Sequence, residues 1–403
     1  MKVLKKIIIP QGFKAAGISC GIKRSGKKDL GLVYSQAPAV CAGVFTSNKV
    51  KAASLKVCIE QLKNKEARAV IVNSGNANCF VGKRGVSDAK EIIAALAGEI
   101  GVAKQSVLIA STGIIGKPMP LEAVKRGIPK VCGELSKGGL NNFAQAILTT
   151  DTFKKAVSLK IKIGAKEITI SGVAKGAGMI YPRLQKASPK HATMLVFILT
   201  DAAIKKSLLQ EALEDSADKS FNCITVDACT STNDTVLLLA NGAAGNKPII
   251  KKGKDCCAFS KGLIYVCETL SQMIIDDAEG ATKKIEIVVQ GAKSGAEAKS
   301  AANAVANSDL FKTAMFGGNP NWGRVVSAIG AAGINMKEEK VEVCFNSQKV
   351  FNKGRINPLR NKNLLIVSKV IKVNIDLNEG NSSSKVYSCD LTPEYIKINA
   401  EYN

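Results

Sequence analysis

Hydrophobic and polar positions along this 403-residue chain alternate in short segments that predict strands and helices in turn. Two apolar runs predict buried strands that pass into turns of Asn, Ser, Thr and Gly: RAVIVNSGNAN (68–78) and SVLIASTGIIG (106–116). A third segment, TSTNDTVLLLANG (230–242), predicts a polar loop that leads into a buried strand.

Two segments have the period of amphipathic helices. DAKEIIAALAGEI (88–100) predicts a helix that opens with the capping-box pair Asp88 and Glu91 and ends at Gly101. AIKKSLLQEALEDSADKSF (203–221) places five apolar residues on one helical face: Ile204, Leu208, Leu209, Ala212 and Leu213. Helices that alternate with strands indicate a mixed α/β fold, with a domain boundary near IDDAEGATKKIEIVV (275–289).

Composition argues against several classes of protein. Apolar residues make up 46% of the chain, which suits a packed core. The longest apolar run, MLVFIL (194–199), is too short to span a bilayer. In the opening MKVLKKIIIPQGF, three isoleucines closed by Pro10 are too short for the apolar region of a secretion signal. The twelve cysteines have no C-x-x-C spacing and there is one histidine, so we expect no zinc site and a reducing cytoplasm.

The net charge of +24 leaves two interpretations of the surface. It suits a partner such as nucleic acid, or an anionic substrate. However, the lysines occur singly or in pairs, and aromatic residues make up only 5% of the chain. A solvated basic surface without nucleic-acid binding is therefore the favoured prediction.

The segment KHATMLVFILTD (190–201) holds the candidate chemistry. His191 is the only histidine, so a Ser-His-Asp triad or a Cys-His pair would have to use it, and the chain lacks a G-x-x-x-x-G-K-[ST] phosphate loop. An N-terminal threonine needs no histidine, because its own α-amine serves as the base. Cleavage between Ala192 and Thr193 would create such a residue; otherwise Thr193 is an ordinary strand residue.

Nine segments, spread over nearly the whole chain, resemble motifs of the ornithine acetyltransferase family, also called glutamate N-acetyltransferase. They occur in that family's order: VNSGNANC (72–79), STGIIG (111–116), TTDTFKK (149–155), AKGAGMI (174–180), ATMLVFILTDA (192–202), STNDTVLLLANG (231–242), AEGATK (278–283), NPNWGR (319–324) and INAEY (398–402).

The resemblance implies a precursor that cuts itself between Ala192 and Thr193 into an α chain of residues 1–192 and a β chain of residues 193–403. It implies a layered α/β/β/α sandwich resembling N-terminal nucleophile hydrolases, followed by a smaller α/β C-terminal domain. The expected domains are an acyltransferase core of residues 1–283 and a C-terminal domain of residues 284–403. Two α and two β chains would form a heterotetramer.

The implied reaction is ping-pong transfer of an acetyl group from N2-acetylornithine to glutamate through acetyl-Thr193, with no cofactor or metal. The resemblance leaves open whether acetyl-CoA also donates the acetyl group. It implies an oxyanion hole formed by Thr112 and Gly113. The remaining implied substrate contacts are Thr152, Lys175, Glu279 and Asn399.

Two departures from the family pattern stand out. Nine residues, RLQKASPKH (183–191), occupy a place where the family has two, and this insertion adjoins the expected cut. A final Ser or Thr contact of the family would fall one position beyond Asn403. The alternatives to the acetyltransferase are an N-terminal-threonine amidohydrolase or aminopeptidase, and a basic nucleic-acid-binding protein.

Overall fold

The structure is a computed structural model that describes residues 1–64, 66–185, 194–358 and 367–401. The chain divides into two compact units. The first comprises residues 1–222 and 229–274, and the second comprises residues 223–228 and 275–403.

The first unit is built on one hydrogen-bonded sheet. Its strands, within the described residues, are β1 (Lys2–Val3), β2 (Phe13–Ile18), β3 (Leu30–Phe45), β4 (Glu66–Asn76), β5 (Val107–Ile114), β6 (Lys155–Ile163), β7 (Lys166–Lys175), β8 (Leu195–Thr200) and β9 (Thr235–Ala240). Their order is β1-β6-β7-β8-β9-β3-β4-β5, with β2 paired to β3. The long β3 pairs with β4 along most of its length and with β9 from Val40 to Phe45, so it joins two parts of the sheet.

The two parts of the sheet share a single hydrophobic core. Leu32 and Val70 from one part and Phe197 and Leu237 from the other are buried in the same cluster. Successive side chains of a strand point to opposite faces. Accordingly, Phe197 of β8 belongs to the shared core, whereas Ile198 lies near Gly172 on the other face.

Helices cover the outer faces of this unit. They are α1 (Ala53–Gln61), α2 (Gly82–Ile100), α3 (Leu121–Gly133), α4 (Leu140–Ala146), α5 (Lys206–Lys219) and α6 (Lys254–Asp276). Helix α6 packs on β7, where Val266 and Leu270 both lie 2.8 Å from the place that a Cβ on Gly172 would take. Helices α1 and α2 pack against β5. The predicted α/β/β/α layering is confirmed.

The second unit has its own sheet and core. Its strands are β10 (Lys284–Ala292), β11 (Glu342–Phe345), β12 (Gln348–Asn352), β13 (Arg355–Ile356), β14 (Val370–Asp376) and β15 (Ser382–Cys389), in the order β13-β12-β11-β14-β10-β15. Its helices are α7 (Gly295–Ala306), α8 (Asp309–Phe316), α9 (Trp322–Gly330) and α10 (Pro393–Ala400). Helix α7 packs on β10 and β15, and its Val305 shares the core with Ile287 and Val386.

The structure corrects two details of the predicted helices. Helix α2 ends at Gly101 as predicted, with a left-handed φ of 65°, but it begins at Gly82. Asp88 therefore lies inside the helix, and the predicted capping box is wrong. Ile204 precedes α5 and forms a β-bridge with Ile249. Among the helices of the described segments, none is long and apolar enough to cross a membrane.

Candidate active site

The predicted site residues fall into three groups in the structure. Thr112 and Gly113, together with Thr152 and Lys175, belong to the first unit, whereas Glu279 and Asn399 belong to the second. Ala192, Thr193 and the neighbouring His191 lie outside the described residues.

Thr112 and Gly113 lie in the last three residues of β5, where it runs parallel to the end of β4. Gly113 has a φ of 131°, and a Cβ there would lie 2.4 Å from the carbonyl carbon of Gly75. Both its conformation and its surroundings therefore require glycine. The side chain of Thr112 is buried, and its hydroxyl finds no hydrogen-bond partner among the described residues. A buried donor left unpaired is costly unless a ligand pairs with it, so this turn suits the predicted oxyanion hole.

Buried asparagines hold the backbone around this turn. The amide of Asn233 donates to the carbonyl oxygens of Ala77 and Ser111, both at 2.7 Å. The Ser111 hydroxyl donates to Asn73 Oδ1 at 2.6 Å, and the Asn73 amide donates to the carbonyl of Asn76 at 2.8 Å. The sequence predicted turns from these asparagines; it did not predict that Asn233 fixes the residue before Thr112.

Lys175, the last residue of β7, lies in a buried ionic cluster. Asp151 Oδ1 accepts hydrogen bonds from Lys155 Nζ and from the N–H of Gly176, both at 2.7 Å. Asp151 Oδ2 lies 3.9 Å from Lys175 Nζ, and the side chains of all three charged residues are almost completely buried. Burial opposes ionisation of Asp151, but Lys175 and Lys155 outweigh it and lower its pKa to about 2.

Two predicted substrate positions adjoin this cluster. Thr152 directly follows Asp151, and Lys175 forms an ion pair with the Asp151 carboxylate. Asp151 lies within the TTDTFKK segment, but the sequence alone indicates no role for it. An ionised carboxylate between two buried ammonium groups leaves net positive charge, which suits the binding of an anionic ligand group.

Asp234 is a second buried acid that the sequence interpretation did not single out. Both oxygens of its carboxyl group are buried without a hydrogen-bond partner in the part of the chain that the structure describes. Burial raises the pKa of Asp234 well above its ordinary value, and the Lys175 ammonium offsets this only in part. Burial thus favours the protonated form of Asp234. The residue precedes β9, whose Thr235 N–H donates to the carbonyl of Met194 at 2.9 Å.

In the second unit, the two predicted contacts meet each other. The amide of Asn399 on α10 donates to Glu279 Oε2 at 3.0 Å, although the two residues are 120 positions apart. The Thr392 hydroxyl, which caps α10, donates to the carbonyl of Gly280 at 2.6 Å. The turn that carries Glu279 is thus tied to the helix that carries Asn399.

Comparisons with known proteins cover nearly the whole chain. Residues 14–403 match the ArgJ family. The arginine biosynthesis bifunctional protein ArgJ of Caldanaerobacter subterraneus subsp. tengcongensis is 41% identical, with 98% of each chain covered. Its counterpart of the same name in Geobacter sulfurreducens is 42% identical, with 97% of this chain and 99% of that protein covered.

Among solved structures, the ornithine acetyltransferase of Mycobacterium tuberculosis complexed with ornithine is similar to part of the chain. It is 37% identical and has a TM-score of 0.44; the match covers 45% of this chain and 99% of that chain.

Proposed function

This chain belongs to the ArgJ family, and on that premise we propose that it is a glutamate N-acetyltransferase that moves the acetyl group of N2-acetylornithine to glutamate. One observation carries the proposal: the chain matches arginine biosynthesis proteins at 41% and 42% identity over almost its full length. The buried hydroxyl of Thr112 has no hydrogen-bond partner among the described residues and lies beside a position that admits only glycine, which supports an acyl-transfer site in particular.

The first half-reaction forms an acetyl ester. The α-amine of Thr193, released by cleavage after Ala192, takes the hydroxyl proton as Oγ1 attacks the acetyl carbonyl carbon. The Thr112 hydroxyl and the Gly113 N–H donate to the carbonyl oxygen as it becomes negative. When the carbon–nitrogen bond breaks, the α-nitrogen of ornithine takes the proton and leaves.

The second half-reaction reverses these roles with a different amine. The α-amine of glutamate attacks the acetyl ester, its proton returns to Thr193, and N-acetylglutamate leaves. Lys175 would bind a substrate carboxylate, and Glu279 would bind the side-chain ammonium of ornithine. Thr152 and Asn399 complete the proposed substrate contacts. The exchange needs no metal or bound cofactor.

The proposal includes the self-cleavage, assembly and cellular location of the enzyme. Self-cleavage between Ala192 and Thr193 gives chains of residues 1–192 and 193–403, which assemble as a cytoplasmic heterotetramer of two α and two β chains. The RLQKASPKH insertion directly precedes the cut, so the extent of cleavage is the first quantity to measure.

The test combines mass spectrometry with product analysis. Intact mass and N-terminal sequencing of the purified protein should reveal a chain that begins Thr-Met-Leu. N2-acetylornithine with glutamate should yield ornithine and N-acetylglutamate in equal amounts. A second mixture, acetyl-CoA with glutamate, establishes whether acetyl-CoA also serves as a donor.

Two results would contradict the proposal. Release of acetate and ornithine without glutamate, at the rate seen with it, would identify a hydrolase. An uncut chain that transfers no acetyl group would remove the N-terminal nucleophile altogether. Thr193→Ala should abolish both cleavage and transfer, whereas His191→Ala should spare transfer in protein that has already been cut.

A further inference from the structure

Lys23, which no step of the proposed reaction uses, lies in a turn that is tied to a buried carboxylate. Asp29 is fully buried and accepts hydrogen bonds from the backbone N–H groups of Cys20 and Ile22, both at 2.7 Å. It also accepts one from the N–H of Lys23 at 3.0 Å. The backbone of Lys23 is therefore fixed, and its side chain extends from a defined point.

The hydrocarbon part of the Lys23 side chain lies over the predicted oxyanion turn. Its Cγ is 3.0 Å from the place that a Cβ on Gly75 would take. Gly75 is the residue whose backbone closely contacts Gly113. The absence of a side chain at Gly75 thus lets Lys23 pass directly beside the paired glycines.

The ammonium group of Lys23 reaches the loop that carries the substrate residues. It donates to the carbonyl oxygens of Lys28 at 2.8 Å and Leu148 at 2.7 Å. The next residue along the chain, Thr149, donates its N–H to Asp151 Oδ2 at 3.0 Å. Within the described segments, two of the three ammonium N–H groups have acceptors, which leaves one to donate to a ligand.

The charges around Lys23 favour an anionic ligand. Burial lowers the pKa of Lys23 to about 8; Asp29 and Asp151 act to raise it, and Lys175 and Lys27 act to lower it further. Lys23 and Lys175 reach the same loop, Lys23 at the carbonyl of Leu148 and Lys175 at 3.9 Å from Asp151 Oδ2, and their positive charges repel each other. A carboxylate bound by both ammonium groups would relieve that repulsion.

We propose that Lys23 and Lys175 together bind the α-carboxylate common to N2-acetylornithine and glutamate, with one oxygen on each ammonium group. In N2-acetylornithine this carboxylate is attached to the carbon that bears the acetylated nitrogen. Holding it beside Gly75 and Gly113 brings the acetyl carbonyl towards the oxyanion turn. The inference rests on the proposed function, because it assigns a residue to that reaction's substrates.

The test compares three variants in steady-state kinetics with both substrates. Lys23→Met should raise KM for N2-acetylornithine and for glutamate by about 10- to 100-fold, as expected for loss of one hydrogen bond from a charged donor. Lys23→Arg keeps the charge and should remain close to wild type. Lys27→Met removes an exposed charge from the same turn and should leave both KM values unchanged.

A pH profile separates substrate binding from a structural role. The KM of the wild type for N2-acetylornithine should rise above about pH 8, as Lys23 loses its proton. Lys23→Arg should lose that rise, because a guanidinium stays protonated throughout the range. If Lys23 only stabilises the fold, its substitution should change the melting temperature without changing the rise of KM above about pH 8.

The outcomes are distinguishable. A wild type that transfers the acetyl group, with Lys23→Met at unchanged KM, would overturn the role of Lys23 and leave the proposed function standing. If Lys23→Met and Lys23→Arg show equal increases in KM and equal decreases in melting temperature, Lys23 has a structural role, and the inference is overturned as well. A wild type without transfer would overturn the proposed function, and this inference with it.

Discussion

Gly113 packs so closely on Gly75 that a methyl group at Gly113 would lie 2.4 Å from the Gly75 carbonyl carbon. Two neighbouring strands of the sheet thus have, one residue before their ends, glycines whose backbones touch directly beside Thr112. A side chain at Gly113 cannot be added without moving the donors that the proposed reaction needs.

Gly113→Ala should reduce kcat by about 100- to 1000-fold, the loss typical of one misplaced oxyanion donor. Gly116→Ala is the matched control: Gly116 also has a positive φ, of 81°, but apart from its chain neighbours no heavy atom lies within 4 Å of the place that a Cβ there would take. The control should lose some thermal stability and keep its kcat. Equal kcat values for the two variants would contradict the proposed role of the turn.

Thr112→Val should separate catalysis from folding. Valine has nearly the shape of threonine, and the hydroxyl that it removes has no partner in the described segments. We expect kcat to fall about 100-fold while urea unfolding shows no loss of stability. Thr112→Ser, which keeps the donor, should recover most of kcat. A large loss of stability in the valine variant would show that the hydroxyl is structural.

Asp151→Asn should destabilise the first unit. The substitution removes the carboxylate that lies 2.7 Å from the ammonium group of the fully buried Lys155, and removing one member of a buried ion pair typically costs about 3–5 kcal/mol in the free energy of unfolding. Asp215→Asn, in the exposed pair with Lys219, should cost less than about 1 kcal/mol. Urea denaturation at pH 7 measures both.

The pH dependence of Asp151 has a defined sign. Its pKa is lowered to about 2 in the folded protein. The carboxylate of Asp151 therefore contributes its full share of the free energy of unfolding above the unfolded pKa, and this share is lost as pH falls through the folded pKa. The wild type should therefore lose its advantage over Asp151→Asn on acidification. A difference that stays constant down to pH 2 would contradict this account.

Asp234→Asn should have the opposite pH dependence. Burial raises the pKa of Asp234, so the folded state holds a proton that the unfolded state releases above a pH of about 4. The stability that this proton contributes is complete below the unfolded pKa and declines as pH rises towards the folded value. Relative to the wild type, Asp234→Asn should therefore gain stability as pH rises above about 4; parallel unfolding profiles would refute this.

Local sequence signals predicted correctly those features that depend on nearby residues alone. The glycine stop at Gly101 was predicted because a left-handed residue ends a helix without help from elsewhere. The start of the same helix was predicted wrongly, because the helix begins before the predicted capping pair. Gly85 lies in that earlier part of α2 and packs tightly against Ala53 and Asn78, a tertiary contact that the local sequence does not reveal.

The site itself depends on contacts that no local pattern contains. Asn233 meets the carbonyl of Ser111 across 122 positions, and Lys23 meets that of Leu148 across 125. Each side chain is an unremarkable turn or surface residue in its own segment. Family motifs identified the segments, but only the folded chain could pair Asn233 and Lys23 with their partners.

The strand order has a consequence for the proposed cut. Strands β8 and β9 follow Thr193 in the sequence, yet they lie between β7 and β3, which precede it. The two products would be interleaved within one sheet, each supplying hydrogen-bond partners to the other. Cleavage would thus free an amine without freeing a subunit, and separating the chains would require unfolding the sheet that holds the chemistry.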